Sequence, residues 1–566
     1  MIVRDHEDAP GHLLSRSLSN AIELARNRII IGIMCFLFVL GAIGVRLATV
    51  MVLNPVGEPL SAELGTQSGS HLGRANIIDR NGEILATSIT TSSLYANAEK
   101  VINPQEAAEK IVTVLPKLNK EKLVEKLQSG KRFIWLVRHL TPAQQKQILH
   151  LGIPGVSFIR DQRRIYPYGS LVSHVVGLTD IDTNGIGGIE KSKDEFLRCG
   201  SDALQISLDI KLQHIVYKTL KDGMEEFAAT GAAGILMDLE TEEVLAMVSL
   251  PDFNPNKPVD INSKEFFNKA TLGMYEMGST FKIANTAMVL ESGVARLDTV
   301  YDTSSPIHIG RFTITDYRAN HGFINVAQIF VYSSNKGSIR MAMAAGTERQ
   351  QKFLAKLGFL TSNDIELPEH GKPIIPKHWR EANTMTIAYG YGISVSPLHL
   401  LNGVASIIGD GCRKQATLLK KSSKEQTSKR ERIVSSETSR TMLQLMRYVV
   451  LSGTSTKANV KGYFIAGKTG TRNLLVNGHY SKERVSTTFV GVLGENQDKP
   501  KYIVVILLED PKRSKKTYGF NTAGWNAAPI GGRILARVAA MKGIQPTLEP
   551  DRVTDPFFKS VTFKGH

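Results

Sequence analysis

Three short groups of reactive side chains follow one another along the chain: Ser279-Thr280-Phe281-Lys282, Ser333-Ser334-Asn335 and Lys468-Thr469-Gly470-Thr471. Gly278 precedes the first, and the pattern FKIANTAMVLESG carries on from it as a helix. Residues three apart on a helix share a face, so the Ser279 hydroxyl and the Lys282 amine are expected side by side. A neutral amine can take a hydroxyl proton, but an ordinary lysine is protonated near neutral pH. Burial and a second nearby cation would lower its pKa and make it a base. In the second group a hydroxyl and an amide two residues apart can face a cleft from a loop, one relaying a proton and the other holding a peptide group. In the third, Lys468 supplies the second cation, the threonine hydroxyls can bind a carboxylate, and Gly470 lets a ligand approach the backbone. Each of the first two groups alone is weak evidence, and Lys-Thr-Gly is rarer by chance than either. Ser333 to Lys336 is itself a second Ser-x-x-Lys match, and a surface helix, a polar loop or a surface lysine explains any one of them. The three in this order are a far narrower pattern.

The elements that must position these groups can be read in outline. Ser279 needs a helix start, and Lys468 continues the apolar run YFIAG as a strand. Upstream, GILMDLETEEVLAMVSLP alternates as a hairpin with Glu-Thr-Glu at its turn, and TTFVGVLGE and PKYIVVILLED are two more apolar strands. LQISLDIKLQHIVYKTLKDGMEEFAA begins as a strand and becomes a long amphipathic helix. From Arg74 to Glu226, β-rich runs (NIIDRNGEILATS, SSLYANA) mix with helical ones (PQEAAEKIVTVLPKL, PAQQKQILHLG), which makes an α+β region. KKSSKEQTSKRER, from Lys420, reads as a solvated loop.

Before all of these stands the strongest local signal. Ile29 to Val45 is IIIGIMCFLFVLGAIGV without a charge, and LATVMVL follows Arg46. Counted to Leu53 this is about 25 residues, enough to cross a hydrocarbon core of about 30 Å. Arg46 lies toward one end, where it can snorkel. The competing reading, a cleaved signal peptide, calls for a shorter apolar region and a small-x-small site. Arg16, Arg26 and Arg28 on the N-terminal side orient that side to the cytoplasm. The opening MIVRDHEDAPGHLLSRSL mixes both charges and is expected to be poorly ordered.

With 566 residues, 42% hydrophobic and 22% charged, the chain is a folded protein of two or three domains. Its net charge of +16 is scattered, with no zinc-finger or aromatic RNA-binding signature, which argues against nucleic acid. Cys35, Cys199 and Cys412 form neither a disulfide framework nor a metal set.

The Ser-x-x-Lys, Ser-x-Asn, Lys-Thr-Gly set is the signature of penicillin-binding proteins and serine β-lactamases. Other segments narrow the resemblance to class B penicillin-binding proteins. GMYEMGSTFK is similar to their EPGSTFK. Arg74 to Ala86 (RANIIDRNGEILA) resembles their R-x-x-I-x-D-R-N-G-x-x-L-A segment. Arg164 to Gly169 (RIYPYG) and Gly188-Ile189-Glu190 match pedestal motifs, while SLPDFNPN, Gly390-Tyr391-Gly392, Ser396-Pro397 and Thr522 to Trp525 match transpeptidase segments. SSLYANA, NGHYSKERVSTTFVGV and LLEDPK look most like the septal, division-specific branch, with the elongation-specific branch as the alternative. Three positions depart from the pattern: Met277 for Pro, Asn254 for Asp, and Arg472 for a small residue.

The resemblance implies an α+β architecture: a single transmembrane helix, an elongated pedestal of the dimerisation type, then a penicillin-binding/β-lactamase-like domain with an antiparallel sheet flanked by helices. The expected divisions are a cytoplasmic tail 1–28, an anchor 29–53, a linker 54–73, the pedestal 74–226, the transpeptidase domain 227–545 and a tail 546–566. It implies a serine D-Ala-D-Ala transpeptidase of the bacterial cytoplasmic membrane, with its catalytic domain outside. Ser279 would be the acylated nucleophile and Lys282 its base. Ser333 would relay a proton to the leaving amine and Asn335 would orient the donor peptide. Lys468, Thr469 and Thr471 would hold the substrate carboxylate, with Gly470 beside them, and backbone N–H groups of Ser279 and Thr471 would form the oxyanion hole. Neither metal nor organic cofactor is implied. The implied partners are peptidoglycan stem peptides as donor and amine acceptor, the lipid bilayer, and a glycosyltransferase with other division-complex membrane proteins. A β-lactamase would lack the anchor and pedestal. A non-catalytic β-lactam sensor or assembly scaffold, the reading from a different class, would not need Ser279, Lys282 and Lys468 together.

Overall fold

The computed structural model describes residues 11–48, 73–200, 202–310, 312–316, 322–421, 430–476, 478–496 and 498–547. The expected linker 54–73 lies outside these residues except for Gly73, as do residues 422–429 of the charged loop and 548–566 of the C-terminal tail. Two units result, residues 1–71 and 72–566.

The described part of the first unit is one 38-residue helix, Gly11–Ala48. Its segment Arg26–Val45 is the one span among the described residues long and apolar enough to cross a membrane. The expectation of a poorly ordered opening is corrected for residues 11–18, which are helical. The physical reason is helix propagation. Residues 12–31 contain no Gly or Pro, and once the apolar run has met the cost of nucleation each further turn adds hydrogen bonds at small cost.

The second unit contains two five-stranded sheets. In the first, the long strand Ile84–Ala96 pairs antiparallel with Ile134–Leu140, Val156–Ile165 and Ile77–Ile78, and Leu204–Gln205 adds in parallel to Ile77–Ile78. The helical runs appear as Pro104–Val114, capped by Asn103, and Pro142–His150, opened by a capping box from Thr141 and Gln144. Their apolar faces bury Ala108, Ile111 and Ile148 against Leu94 and Leu136, and the helix Lys120–Gln128 adds Leu127.

In the same unit, the family-like motifs lie where this sheet meets the rest. Asp79 accepts the N–H groups of Asn81 and Glu83, closing the DRNG turn, and that of Ile210, which fastens the turn to the start of the helix Ile210–Glu226. Tyr166 and Asn256 exchange hydrogen bonds of 3.0 and 2.9 Å, joining RIYPYG to SLPDFNPN. Below them Glu190 is fully buried and bridges two buried arginines, Arg74 Nε at 2.5 Å and Arg164 Nε at 2.7 Å.

The second sheet runs Phe464–Val476, His479–Asn496, Lys499–Glu509, Gly231–Asp238, Val244–Leu250, all antiparallel. Period-2 alternation sends Ile503, Val505 and Leu507 into one core and Val504, Ile506 and Leu508 into the other. On the second face lie the helices Ile210–Glu226 and Ala527–Met541. On the first lie Lys282–Glu291, Pro397–Ile408 and Ser436–Ser452. Covering both faces explains why KYIVVILL reads as a continuous apolar run rather than an alternating one. Phe464–Val476 remains an edge strand, with one row of backbone groups available to other elements.

Candidate active site

Ser279 lies in a 3-10 turn, Gly278–Phe281, and Lys282 opens the α-helix that follows. In 3-10 geometry residues i and i+3 eclipse, so the two side chains share a face a little differently from the α-helical expectation. The turn is wedged between two backbones. Gly278 has φ +53°, and a Cβ there would come within 2.8 Å of the Thr471 carbonyl. A Cβ on Gly470 would reach the Met277 carbonyl at 2.4 Å, and one on Gly390 the Gly278 carbonyl at 2.0 Å. Only glycine at these positions lets the edge strand and the Gly390 loop close on Ser279.

Ser333 sits at a junction of two helices. It ends Val326–Tyr332 in the left-handed conformation at φ 60°, and Ser334 caps the helix Asn335–Ala345 by accepting from Gly337 N–H. This unusual backbone turns the Ser333 carbonyl and hydroxyl toward the same amine. Lys282 Nζ donates to Ser333 O at 2.5 Å and Asn335 Oδ1 at 2.8 Å, and lies 3.1 Å from Ser333 Oγ. The Ser279 hydroxyl is not among its partners, and such bonds often tighten only when substrate is bound. From the edge strand, Lys468 Nζ comes to 2.8 Å from the same Ser333 Oγ. One turn on, Asn285 donates to the Ser338 carbonyl and locks the Lys282 helix to the Asn335 helix.

The electrostatics follow from this arrangement. Lys282 and Lys468 are 1% and 0% exposed. Burial lowers the Lys282 pKa to about 7, and Asp316 opposes the shift. The Lys468 amine is also held well below its usual value, first by burial and then by Lys282. Two amines around one hydroxyl act as a coupled pair. When one of the two amines is neutral and the other charged, one can accept the Ser333 proton while the other donates to the same oxygen, a continuous path for one proton.

The remaining predicted residues gather here too. Thr471 Oγ1 accepts from Ala523 N–H at 3.0 Å, and Thr469 Oγ1 shares a 2.6 Å hydrogen bond with Thr454 Oγ1. All eight sequence-predicted residues therefore lie on the turn, the helix junction and the edge strand that meet around Ser333 Oγ.

Sequence reasoning missed Asp316, which accepts from Ser334 Oγ, Asn335 N–H and Lys336 N–H and so holds the junction in place. A lone Asp in a loop carries no distinguishing pattern. Thr454 was likewise not assigned to the site, since neither spacing nor residue type marks it, and Gly390 was noted only as part of a matching segment. Arg472, one of the three departures from the family pattern, turns toward Glu276, with Nη1 3.8 Å from Oε2. Glu276 in turn accepts from Gly392 N–H and Tyr480 OH.

Residues 232–535 match the model of the penicillin-binding protein transpeptidase domain, and 71–215 match the penicillin-binding protein dimerisation domain. The chain belongs to the class B penicillin-binding proteins. This penicillin-binding protein is 31% identical over 496 residues to a probable peptidoglycan D,D-transpeptidase FtsI of Caulobacter vibrioides, covering 86% of this chain and 84% of that one. It is 28% identical to the peptidoglycan D,D-transpeptidase FtsI of Escherichia coli, over 90% of this chain and 91% of that one. Among solved structures its fold resembles penicillin-binding protein 3 of Mycobacterium tuberculosis, crystallised with aztreonam, at a TM-score of 0.65 and 24% identity, covering 84% of this chain and 97% of that one. The penicillin-binding protein described here is an enzyme of the transpeptidase class, with the dimerisation domain preceding the catalytic one.

Proposed function

We propose that this protein cross-links peptidoglycan stem peptides through an acyl-enzyme on Ser279, in septal wall synthesis. The observation that carries the proposal is the meeting of Lys282 and Lys468 at one hydroxyl, Ser333 Oγ, beside the Ser279 turn. Lys282, neutral for part of the time near pH 7, takes the Ser279 proton as Oγ attacks the penultimate D-Ala carbonyl. Backbone N–H groups of Ser279 and Thr471 stabilise the oxyanion, a term worth about 3 kcal/mol per donor in such sites. Lys468, Thr469 and Thr471 hold the terminal carboxylate, with Gly470 giving the backbone room. Ser333 passes the proton from Lys282 to the leaving amine, and Asn335 orients the donor peptide. An amine from a second stem peptide then resolves the ester.

The helix Gly11–Ala48 anchors the chain once in the bacterial cytoplasmic membrane, with Arg16, Arg26 and Arg28 on the cytoplasmic side and the catalytic domain outside. Partners are a glycosyltransferase and other division-complex membrane proteins, met through the anchor and the pedestal.

A labelled penicillin followed by peptide mass spectrometry tests the chemistry. Label is expected on Ser279 alone and absent from Ser279→Ala; label on Ser333 would refute the assignment. Depletion is expected to block division, with a fluorescent fusion concentrated at midcell. Loss of rod shape with division intact would instead favour a lateral-wall role.

A further inference from the structure

The loop between the last strand and the last helix, residues 511–526, touches one hydroxyl of the Lys468–Thr471 segment directly and reaches the other through Thr454. Ala523 N–H donates to Thr471 Oγ1. Gly524 packs on the carbonyl of Thr454, where a Cβ would come to 2.7 Å, and Thr454 Oγ1 bonds Thr469 Oγ1. The same loop exposes Lys512, Arg513, Lys515 and Lys516 to solvent. Among the described residues only Lys512 of these four pairs with a carboxylate, that of Asp510. Next to the cations stands an aromatic group. Tyr518 is 78% exposed and Phe520 41% exposed. Phe520 stacks on Trp525 at 5.3 Å and 10°, Tyr518 meets Trp525 edge-on, and Lys457 Nζ lies 4.0 Å above the indole.

The backbone that carries these groups is fixed. Ser514 and Thr517 form a capping box, Thr517 is buried, and Asn521 Nδ2 donates to the Glu483 carbonyl. Tyr518 is held at φ 51°, a conformation costly for a bulky residue. Exposed aromatic rings and unpaired cations on a rigid segment make a surface suited to an anionic ligand with apolar parts.

The transfer reaction says which ligand reaches this side. In acyl transfer the second half-reaction reverses the first, so the incoming amine attacks from the side the leaving amine vacated. That side holds the leaving residue's carboxylate, which the proposed function gives to Thr469 and Thr471. We infer that the 511–526 loop is the acceptor subsite, and that its ligand is an amine-bearing, multiply carboxylated stem peptide. Arg513, Lys515, Lys516 and Lys457 attract its carboxylates, and Tyr518 and Phe520 cover its aliphatic portions. The acceptor nitrogen bonds to the acyl carbon, the ester bond to Ser279 Oγ breaks, and the amine's proton returns to that oxygen through Lys282. This inference rests on the transpeptidase reading above.

The test uses the full chain in detergent with a small thioester donor. Lys515→Glu combined with Lys516→Glu, and separately Tyr518→Ala, are compared with the unaltered protein. Acylation by a fluorescent penicillin and thioester hydrolysis are expected to stay within about twofold, because neither involves the acceptor. Aminolysis by a carboxylated stem peptide is expected to fall about tenfold in the charge-reversed variant, while aminolysis by glycinamide is unchanged. Unchanged stem-peptide aminolysis in both variants overturns the subsite and leaves the transpeptidase reading intact. An equal loss with glycinamide also overturns it, by showing general damage. Loss of binding to anionic lipid vesicles with aminolysis unchanged overturns it in favour of a membrane contact. Failure of the unaltered protein to acylate would instead remove the transpeptidase reading, and this inference with it.

Discussion

This protein buries two clusters of charge, built on opposite principles. In the pedestal, Glu190 lies between Arg74 and Arg164, and Asp194 adds a second carboxylate to Arg74. Hydrogen bonds to the Glu190 and Arg74 carbonyls use further donors. Opposite charges meet there. In the catalytic domain two lysines meet each other, with a hydroxyl, an amide and two carbonyls as hydrogen-bond partners. Among the described residues Asp316 is the carboxylate that raises the Lys282 pKa, and it does so without an ion pair. A network of paired opposite charges fixes a structure; an under-compensated pair of amines, held less basic than usual, supplies a proton acceptor that chemistry can use.

The comparison predicts that breaking each cluster damages a different property. The largest effect is expected from Lys282→Met, which keeps the aliphatic stem and removes the amine. Acylation by penicillin should fall by about 10²- to 10⁴-fold, the usual worth of a general base. Stability should hardly change, because the carbonyl and amide left without a donor are offset by relief of a desolvated amine. Single-turnover acylation together with thermal melting checks both. A large loss of stability with normal acylation per folded molecule would erase the distinction between the clusters.

Glu190→Gln is the mirror experiment. It removes the charge that two buried arginines share, and breaking such a network costs about 3–5 kcal/mol. Acylation of the molecules that remain folded should be close to normal, since Glu190 belongs to the pedestal network. Denaturant titration with acylation measured on the folded fraction reads the two effects separately. A selective loss of acylation would mean that the pedestal network acts on the site.

pH sharpens the contrast. Lys282 must lose its proton to act as base, so the acylation rate should rise through about pH 7. The sign for stability is the same. The folded pKa lies below the unfolded value of 10.5, so above pH 7 the unfolded state binds more protons and the Lys282 contribution to stability grows with pH up to about 10. Lys282→Met should abolish the catalytic limb and flatten that part of the stability profile. A pH-independent acylation rate between pH 6 and 8 would remove Lys282 as the titrating base.

How much of this was legible beforehand differs between the two regions. The active-site residues announced themselves because reactive types recur in an ordered motif set, and the strands beside them because apolar runs end in turn residues. The pedestal motifs were visible only through resemblance. Arg74, Arg164 and Glu190 are far apart in sequence, and nothing local says that they meet. The helix at residues 11–18 was hidden by mixed charge, which says little about a segment continuing a long apolar helix. Asp316 and Thr454 stayed invisible because their contribution is made through contacts with Ser334 and Thr469 that only the fold creates.

Asp316 offers the finest test of the comparison, because it is the point where the lysine pair is partly compensated. Its carboxylate raises the Lys282 pKa against the pull of burial, and it also accepts three hydrogen bonds from the Ser334–Lys336 junction. Asp316→Asn keeps an oxygen for the two backbone N–H groups and places an amide against Ser334 Oγ, so the junction should keep its shape. What it loses is the charge. The Lys282 pKa should then move further down, and the rising limb of acylation should shift to lower pH. The plateau rate should fall only a few-fold, since proton-transfer rate declines gradually as the base weakens. A pH profile of acylation, with melting recorded alongside, separates this from a structural defect. A limb that stays in place while the rate collapses would make Asp316 a support for the junction alone. A limb that moves upward would show that the amine pair is governed by something other than the balance of burial and one distant carboxylate.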